Sequence, residues 1–321
     1  MMTLVFHGVR GSHPVPDSRM MRYGGNTSCV EIVKTNKEGK KVPIIIDSGS
    51  GLIPLGYIMA KRLFSKEYLS TFPLLFTHLH PDHTEGFNFF VPNFFNFCTV
   101  YIMGMKALKK DVGLILKRKM DPPTFPIEYR DFKSHRIHKV LRDGDLFYIG
   151  QDGAPSAEKN DPLFEIQVMQ AFAPSHPQQG ALYYRITDSG DGSSIVCVWD
   201  IESHIGGDAR VINFSRGADL MVHDTQYTEE EYISRSSPVQ GFGHSTYSMA
   251  VENATESKVK YLCSFHYSPR HTDDILDGIA KKQNEQNGVH SFEFIMSAEG
   301  LNLSLEHGKI VKRENLRLGF A

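Results

Sequence analysis

The sequence predicts an α/β fold, and three observations lead to this prediction. Apolar runs of strand length alternate with longer amphipathic stretches through both halves of the chain, which is typical of strands and helices arranged in layers. Several of the apolar runs end directly in a cluster of His, Asp or Ser, and loops at strand ends are where open α/β folds carry function. The 321 residues contain no internal repeat and no linker-like break, so we predict a single domain over residues 1–321.

The elements can be assigned in chain order from hydrophobic periodicity and from Gly, Pro and Asp breakers. In the first half we predict strands and helices in the following order: strands 3–9, 28–34 and 41–47, helix 52–66, strand 72–76, a loop or short helix over 88–98, strand 99–104 and helix 105–120. In the second half we predict strands 164–173, 181–188, 193–200 and 218–224, a helix around 245–254, strand 260–266, helix 272–286 and strand 292–297. Residues 151–161 are predicted to form a surface hairpin loop.

Composition narrows the class of protein. The chain has 35 basic and 37 acidic residues and a formal net charge of -2, whereas proteins that bind nucleic acid through its phosphates usually carry a basic excess. The four cysteines form no C-x-x-C pair and are expected to be buried, reduced thiols. The N-terminus does not resemble a signal peptide and no apolar run is long enough to span a membrane. We therefore expect a cytoplasmic protein without a membrane partner.

The strongest motif is the hexapeptide His78-Leu79-His80-Pro81-Asp82-His83, directly after an apolar run. On an extended segment His78 and His80 point the same way, because side chains alternate with a period of two. Two imidazoles can then bind one metal ion, and the turn at Pro81 can direct Asp82 and His83 towards a second. Imidazole nitrogen and carboxylate oxygen suit borderline or hard divalent ions. The alternative is a polar loop that happens to be rich in histidine.

This pattern after a buried strand resembles the hallmark of the metallo-β-lactamase superfamily. The resemblance implies an α/β, αββα sandwich of two mixed sheets flanked by helices. It also implies three further ligands at strand ends, which are His176, Asp200 and His266. Taken singly, these three would be a surface histidine, a helix cap and a strand-end residue. As a set, the resemblance implies one metal held by His78, His80 and His176, a second held by Asp82, His83 and His266, and Asp200 shared between them.

The implied chemistry is metal-assisted hydrolysis. Two cations lower the pKa of a bound water and stabilise negative charge on the attacked group. Zinc is the expected metal, with manganese or iron also compatible with these ligands. Asp47 matches a family aspartate that supports the metal loops, and it could also be a turn-forming residue before the glycines that follow it.

Three more residues resemble the ribonuclease Z and phosphodiesterase branch of the superfamily. Gly243-His244-Ser245-Thr246 resembles the G-H-S-T motif in which a histidine protonates the leaving oxygen, and Asp224 resembles the acidic residue that orients it. Arg270 matches a position near the phosphate. The catalytic assignments are thus Asp82, His244 and Asp224, with Arg270 binding substrate. The alternative for the motif is a helix start capped by Ser245. The opening stretch GVRGSHPVPDSRMMRYGGNTSCVEI resembles a bacterial group of this branch, whose members are often homodimers.

The substrate is the least constrained prediction. The sequence lacks the long Gly/Pro-rich insertion that tRNA-processing relatives use as an arm. We therefore expect the substrate to be a small phosphodiester, such as a cyclic nucleotide, in preference to an RNA 3′ end. Hydrolysis of a carbonyl bond (lactam, lactone or thioester) and a non-catalytic, metal-binding role are also compatible with the sequence. The predicted helix over 105–119 could contact phosphates or present a solvated face. Its basic residues are Lys106, Lys109, Lys110, Lys117, Arg118 and Lys119.

Overall fold

Two eight-stranded sheets form the framework of the protein. The computed structural model describes residues 1–106, 110–171, 175–177, 180–285 and 290–316. The strands within these residues are β1 Met2–Gly8, β2 Cys29–Thr35, β3 Lys41–Ile46, β4 Thr71–Leu75, β5 Thr99–Gly104, β6 His135–Val140, β7 Leu146–Ile149, β8 Pro155–Ser156, β9 Phe164–Ala171, β10 Ala181–Asp188, β11 Ser194–Val198, β12 Leu220–Asp224, β13 Tyr261–Phe265, β14 Glu293–Met296, β15 Leu301–Glu306 and β16 Lys309–Asn315. The α-helices are α1 Leu52–Phe64, α2 Val112–Lys119, α3 Ala209–Ser215, α4 Glu229–Tyr232, α5 Tyr247–Ser257 and α6 Asp273–Glu285.

Both sheets are mixed, and they are built in the same way. The first has the order β16-β15-β1-β2-β3-β4-β5-β6 and the second the order β14-β13-β12-β11-β10-β9-β7-β8. Strands β3 to β6 are parallel in the first sheet, as are β11 to β14 in the second, and the remaining pairs are antiparallel. The parallel strands of each sheet end near one another, and their carboxyl ends lead into the loops that carry the conspicuous His and Asp residues.

Apolar packing arranges the elements in four layers. A central cluster combines residues of both sheets, including Phe6, Ile44 and Ile186. A second cluster joins the other face of the first sheet to α1 and α2, and a third joins the other face of the second sheet to α3 and α5. The predicted αββα sandwich is therefore confirmed. All four cysteines are buried and unpaired.

Two helix starts differ from the sequence prediction. Helix α2 begins at Val112 instead of residue 105, because the Asp111 side chain accepts the backbone N–H of Leu114 at 2.9 Å, as an N-cap does. Lys106 and Lys110 thus precede the helix, and Lys109 lies outside the described residues. The N-cap of α5 is Thr246, so capping by Ser245 is wrong.

Two other features bear on the sequence predictions. Residues 151–161 contain β8, which pairs antiparallel with β7 and makes this stretch a hairpin. None of the described helices combines the length and apolar character that crossing a bilayer requires. The single domain stays a prediction.

Candidate metal centre

The two sheets bring the seven predicted ligands together in the loops that follow β4, β9, β11 and β13. Residues Pro81–His83 form a short 3-10 turn after β4, with Pro81 in its first turn. One group has ligand atoms that all lie within 4.8 Å of one another and consists of His78, His80, His176 and Asp200. A second group meets the same distance limit and consists of Asp82, His83, Asp200 and His266. These are the two sets that the resemblance implies.

Asp200 lies between the groups. Its Oδ2 is 3.5 Å from His78 Nε2, whereas its Oδ1 is 3.2 Å from both His83 Nε2 and His266 Nε2. The two oxygens of this carboxylate thus face different groups, and such an arrangement allows one ligand to be shared by two cations.

The chemistry of the donors fits divalent cations. His78 Nε2 and Asp200 Oδ1 are buried without a hydrogen-bond partner. Ring nitrogens face each other at 3.1 Å between His176 and His80, and at 3.3 Å between His83 and His266. Such pairs of nitrogens and an unpartnered carboxylate oxygen are satisfied by positive ions that accept their lone pairs.

The pKa values of the histidines differ between the groups. Burial lowers the pKa of His176 to about 4 and that of His78 well below its usual range, so both are neutral and free to bind metal. Burial also opposes the charged form of His83, but Asp200, Asp82 and Asp47 outweigh it and raise its pKa well above the usual value. The second group is therefore richer in negative charge, which favours a cation there.

Asp47 supports the centre from beneath. It follows β3 and accepts hydrogen bonds from Thr77 N–H at 2.8 Å, Thr77 Oγ1 at 2.7 Å, Trp199 Nε1 at 2.7 Å and His83 Nδ1 at 2.8 Å. The bond to Nδ1 leaves Nε2 of His83 to face the centre, as an outer carboxylate does for a metal-bound histidine. Trp199 comes from the other sheet, so this carboxylate also ties the two sheets together.

Three residues at the centre have left-handed backbone conformations. The φ angles are +60° at Asp47, +59° at Asp200 and +63° at His266. This region is unfavourable for residues other than Gly, and it persists where the surroundings enforce it. The strained positions coincide with the ends of β3, β11 and β13, where the chain turns its side chains into the site.

The loop after β1 contributes contacts that the sequence did not predict. The Ser12 amide donates to Asp82 Oδ2 at 2.7 Å. A Cβ atom on Gly11 would lie 2.5 Å from the His266 ring, so only glycine fits there. The fully buried Arg10 donates to the carbonyl oxygens of Gly24 and His271, which links the loop to the chain beyond His266.

His244 and Asp224 form a pair beside the centre. His244 Nδ1 is 2.8 Å from Asp224 Oδ2, and the His244 ring stacks on that of His266 with 4.9 Å between centroids. Burial disfavours the charged imidazole, but Asp224 outweighs burial and raises the pKa of His244 to about 9. Asp224 also accepts the backbone N–H of Asp200 at 3.0 Å. The pair thus places an imidazolium next to the predicted ligands.

Two basic regions lie farther out. Arg270 is exposed and interacts electrostatically with Tyr227. The Tyr227 ring is 6.0 Å from the His244 ring. Within the described ranges, Arg270 contacts no predicted ligand. On α2, Lys119 is partly buried and donates to Thr84 Oγ1, next to His83. Lys117 and Arg118 are exposed. The basic run is therefore not one uniformly solvated face.

Comparison with curated proteins identifies relatives of one kind. No protein-family model matches the chain. Ribonuclease Z of Brevibacillus brevis is 35% identical over an alignment of 247 positions, and the match covers 64% of this chain and 70% of the relative. Ribonuclease Z of Thermoplasma acidophilum is 26% identical over an alignment of 295 positions, and the match covers 88% of this chain and 92% of the relative.

Solved structures share the fold. The metallo-β-lactamase fold protein YhfI from Bacillus subtilis has a TM-score of 0.60 at 17% identity, over 94% of this chain and 98% of that protein. The short form of human tRNase Z has a TM-score of 0.52 at 17% identity, over 94% and 98%. Yeast PDE1 has a TM-score of 0.61 at 12% identity, over 95% and 99%.

These relatives and the His/Asp cluster lead to one assignment. The chain is a metal-dependent hydrolase, and it belongs to the ribonuclease Z branch of the metallo-β-lactamase superfamily.

Proposed function

We propose that the protein is a ribonuclease Z-like endonuclease that hydrolyses a phosphodiester bond at the 3′ end of a precursor RNA with the help of two zinc ions. The observation that carries the proposal is the His244–Asp224 pair, held at 2.8 Å beside the ligand cluster. The curated relatives named ribonuclease Z favour RNA over the small phosphodiester that the sequence alone put first.

The proposed reaction assigns a task to each group. His78, His80 and His176 would hold one ion, Asp82, His83 and His266 the other, and Asp200 both. The bound ions would supply a water of lowered pKa and offset charge on the phosphate.

The protein's own residues would manage the leaving group. Attack on phosphorus breaks the bond to the leaving oxygen, and that oxygen needs a proton because an alkoxide is a poor leaving group. Asp224 binds Nδ1 of His244, so the proton on Nε2 is the one available for donation. The raised pKa keeps His244 protonated at neutral pH. Arg270, close to Tyr227, would meet a phosphate oxygen near this side of the site.

A small phosphodiester such as a cyclic nucleotide is the second candidate. Strands β10 and β11 are joined by the five residues 189–193, so no arm extends from this hairpin, and the net charge is -2. The short connection offers no extended surface for a large RNA, and the negative net charge does not attract one. Carbonyl hydrolysis has no comparable support, because an imidazolium paired with a carboxylate suits an alkoxide leaving group.

A turnover panel with metal analysis tests the proposal. The panel contains an unprocessed tRNA, 2′,3′- and 3′,5′-cyclic nucleotides, bis-p-nitrophenyl phosphate and a β-lactam, each assayed with zinc, manganese and iron. We expect cleavage of the precursor at its 3′ end, with the highest kcat/KM of the panel. A faster reaction on a cyclic nucleotide would support the second candidate, and turnover of none would favour a non-catalytic, metal-binding role.

A further inference from the structure

Phe242 is an exposed aromatic residue close to the centre, and none of the roles above uses it. Its side chain is 58% exposed, and among the described residues its ring stacks on no other aromatic ring. Single exposed apolar side chains are common and need no explanation by themselves. What distinguishes Phe242 is the way in which its backbone is held.

Glu202 fixes the chain on both sides of Phe242. It lies two residues after Asp200, and its carboxylate accepts the backbone N–H of Gly241 at 2.8 Å and that of Gly243 at 3.0 Å. It also accepts the Tyr232 hydroxyl at 2.6 Å. Hydrogen bonds to an ionised carboxylate are shorter and stronger than neutral ones. One side chain thus binds the residues immediately before and after Phe242.

The same segment packs against a predicted metal ligand. The carbonyl oxygen of Gly243 is 3.2 Å from His176 Nδ1. A Cβ atom on Gly243 would lie 2.6 Å from that nitrogen and 2.3 Å from Pro177 Cδ, so a side chain at this position would push the segment away. Gly241 and Gly243 both have positive φ, +82° and +86°. Phe242 is therefore one residue from a contact with His176 and two residues from His244, on a backbone with little freedom to move.

We propose that Phe242 is a stacking platform for a nucleobase next to the scissile phosphate, and that Glu202 is the residue that positions it. The proposal rests on the proposed function in that the substrate is a nucleotide chain. A phosphate at the ligand cluster would bring the bases on either side of it close to the Gly243–His176 contact, one residue from Phe242. Stacking on an aromatic ring tolerates every base, because each base has a π-face. It also needs no net positive charge, and this chain has none.

The test uses precursor RNA in three forms: unmodified, and with an abasic residue on the 5′ or the 3′ side of the scissile bond. Phe242→Ala should raise KM for unmodified RNA by roughly 5- to 100-fold, the range expected when one base–aromatic stack is removed, with kcat within about twofold and metal content unchanged. Phe242→Trp should retain a low KM, and Phe242→Leu should not. For one of the two abasic RNAs the wild-type KM should already be high, and Phe242→Ala should add nothing.

Glu202→Ala provides the second arm. If it acts through Phe242, it should raise KM for unmodified RNA, and the double variant should be no worse than the poorer single variant. The matched control is Phe64→Ala, at a similarly exposed aromatic residue (67%) that ends α1, away from the carboxyl ends of the strands; its KM should equal that of the wild type. An unchanged KM in Phe242→Ala, or an equal penalty on unmodified and both abasic RNAs, would overturn the platform.

Failure of the proposed function has a different signature. If the wild type cleaves no RNA, the comparison moves to thymidine 5′-(p-nitrophenyl phosphate) and methyl p-nitrophenyl phosphate, which share a leaving group and differ in that only the first carries a nucleoside. A KM increase in Phe242→Ala confined to the thymidine ester would sustain the platform without the RNA substrate. Equal behaviour of the two esters would overturn it.

Discussion

The two sheets supply the candidate metal centre in different ways. The first provides four residues from one hexapeptide, His78 to His83, and a 3-10 turn over Pro81–His83 directs them towards the two groups. The second provides three isolated residues, His176, Asp200 and His266, which follow three different strands, and the last two have positive φ. One half of the centre is local in sequence, and the other half exists only when the parallel strands have paired.

Each sheet also provides a buried aspartate that is not a predicted ligand but hydrogen-bonds a histidine at the centre. Asp47 after β3 binds the His83 ring and Trp199, whereas Asp224 at the end of β12 binds the His244 ring and the Asp200 backbone. The two carboxylates occupy equivalent places but contact different groups: the first orients a predicted metal ligand, and the second orients the histidine that we propose as the proton donor. Metal binding and proton transfer should therefore be separable by substitution.

Asp200→Ala should have the largest effect, because this carboxylate faces both groups of ligands. The wild type should hold about two metal ions, roughly 3.5–4 Å apart, and the variant fewer than one, with activity at background. His176→Ala, which touches one group only, should keep about one ion. Elemental analysis after purification without chelators gives the counts. Two ions in Asp200→Ala would show that the carboxylate is not shared.

His244→Ala should lower turnover by about 10²–10⁴-fold, the usual range for loss of a general acid, while both metals stay bound. The effect should be smaller for p-nitrophenyl esters, whose leaving group needs no proton. His138→Ala, at an exposed histidine on β6 outside both ligand groups, is the matched control and should leave turnover unchanged. Release of a metal from His244→Ala, or an equal effect with both kinds of leaving group, would contradict the assignment.

Asp47→Asn and Asp224→Asn test whether the two sheets have separate roles. Asp47→Asn should weaken metal affinity by roughly 10–100-fold, as for other partners of metal-bound histidines, without altering the dependence on leaving group. Asp224→Asn should make the rate more dependent on the leaving group and leave the metal content near that of the wild type. Competition with a chelator and a series of substituted phenyl esters measure the two effects. The same response in both variants would mean that the two carboxylates share one function.

The smallest effect is expected from Lys117→Glu with Arg118→Glu on α2. If these exposed residues bind RNA, the slope of log(kcat/KM) against log salt should become shallower by about 0.7–0.9 for each phosphate that is no longer neutralised. Turnover of small phosphodiesters should not change. Lys309→Glu, at an exposed lysine on β16, controls for net charge. An unchanged slope on RNA would show that the exposed basic residues in the last turn of α2 do not bind RNA.

Local features of the sequence predicted much of the fold and the first half of the centre. The strand before His78 and the turn at Pro81 follow from apolar runs and proline stereochemistry, which act over a few residues. The start of α2 was misplaced because apolar periodicity continues upstream of Asp111 and masks the capping signal of that residue.

Contacts between distant residues could not be predicted in this way. Trp199 donates to Asp47 across 152 positions and Ser12 to Asp82 across 70. Both depend on how the sheets pack, which no local pattern specifies. The contacts of Glu202 belong to the same class, since its partners Gly241 and Gly243 come from a loop about forty residues away. The second half of the centre was accessible only through the resemblance to a family.

The left-handed conformations at Asp47, Asp200 and His266 have a thermodynamic consequence. Each costs on the order of 1–3 kcal/mol. Ions that bind the folded chain and not the unfolded one offset this cost by mass action, by about 2.7 kcal/mol when free metal exceeds its Kd a hundredfold. The melting temperature should therefore follow the concentration of free metal, so that a chelator unfolds the protein at temperatures at which the metal-loaded form is still native.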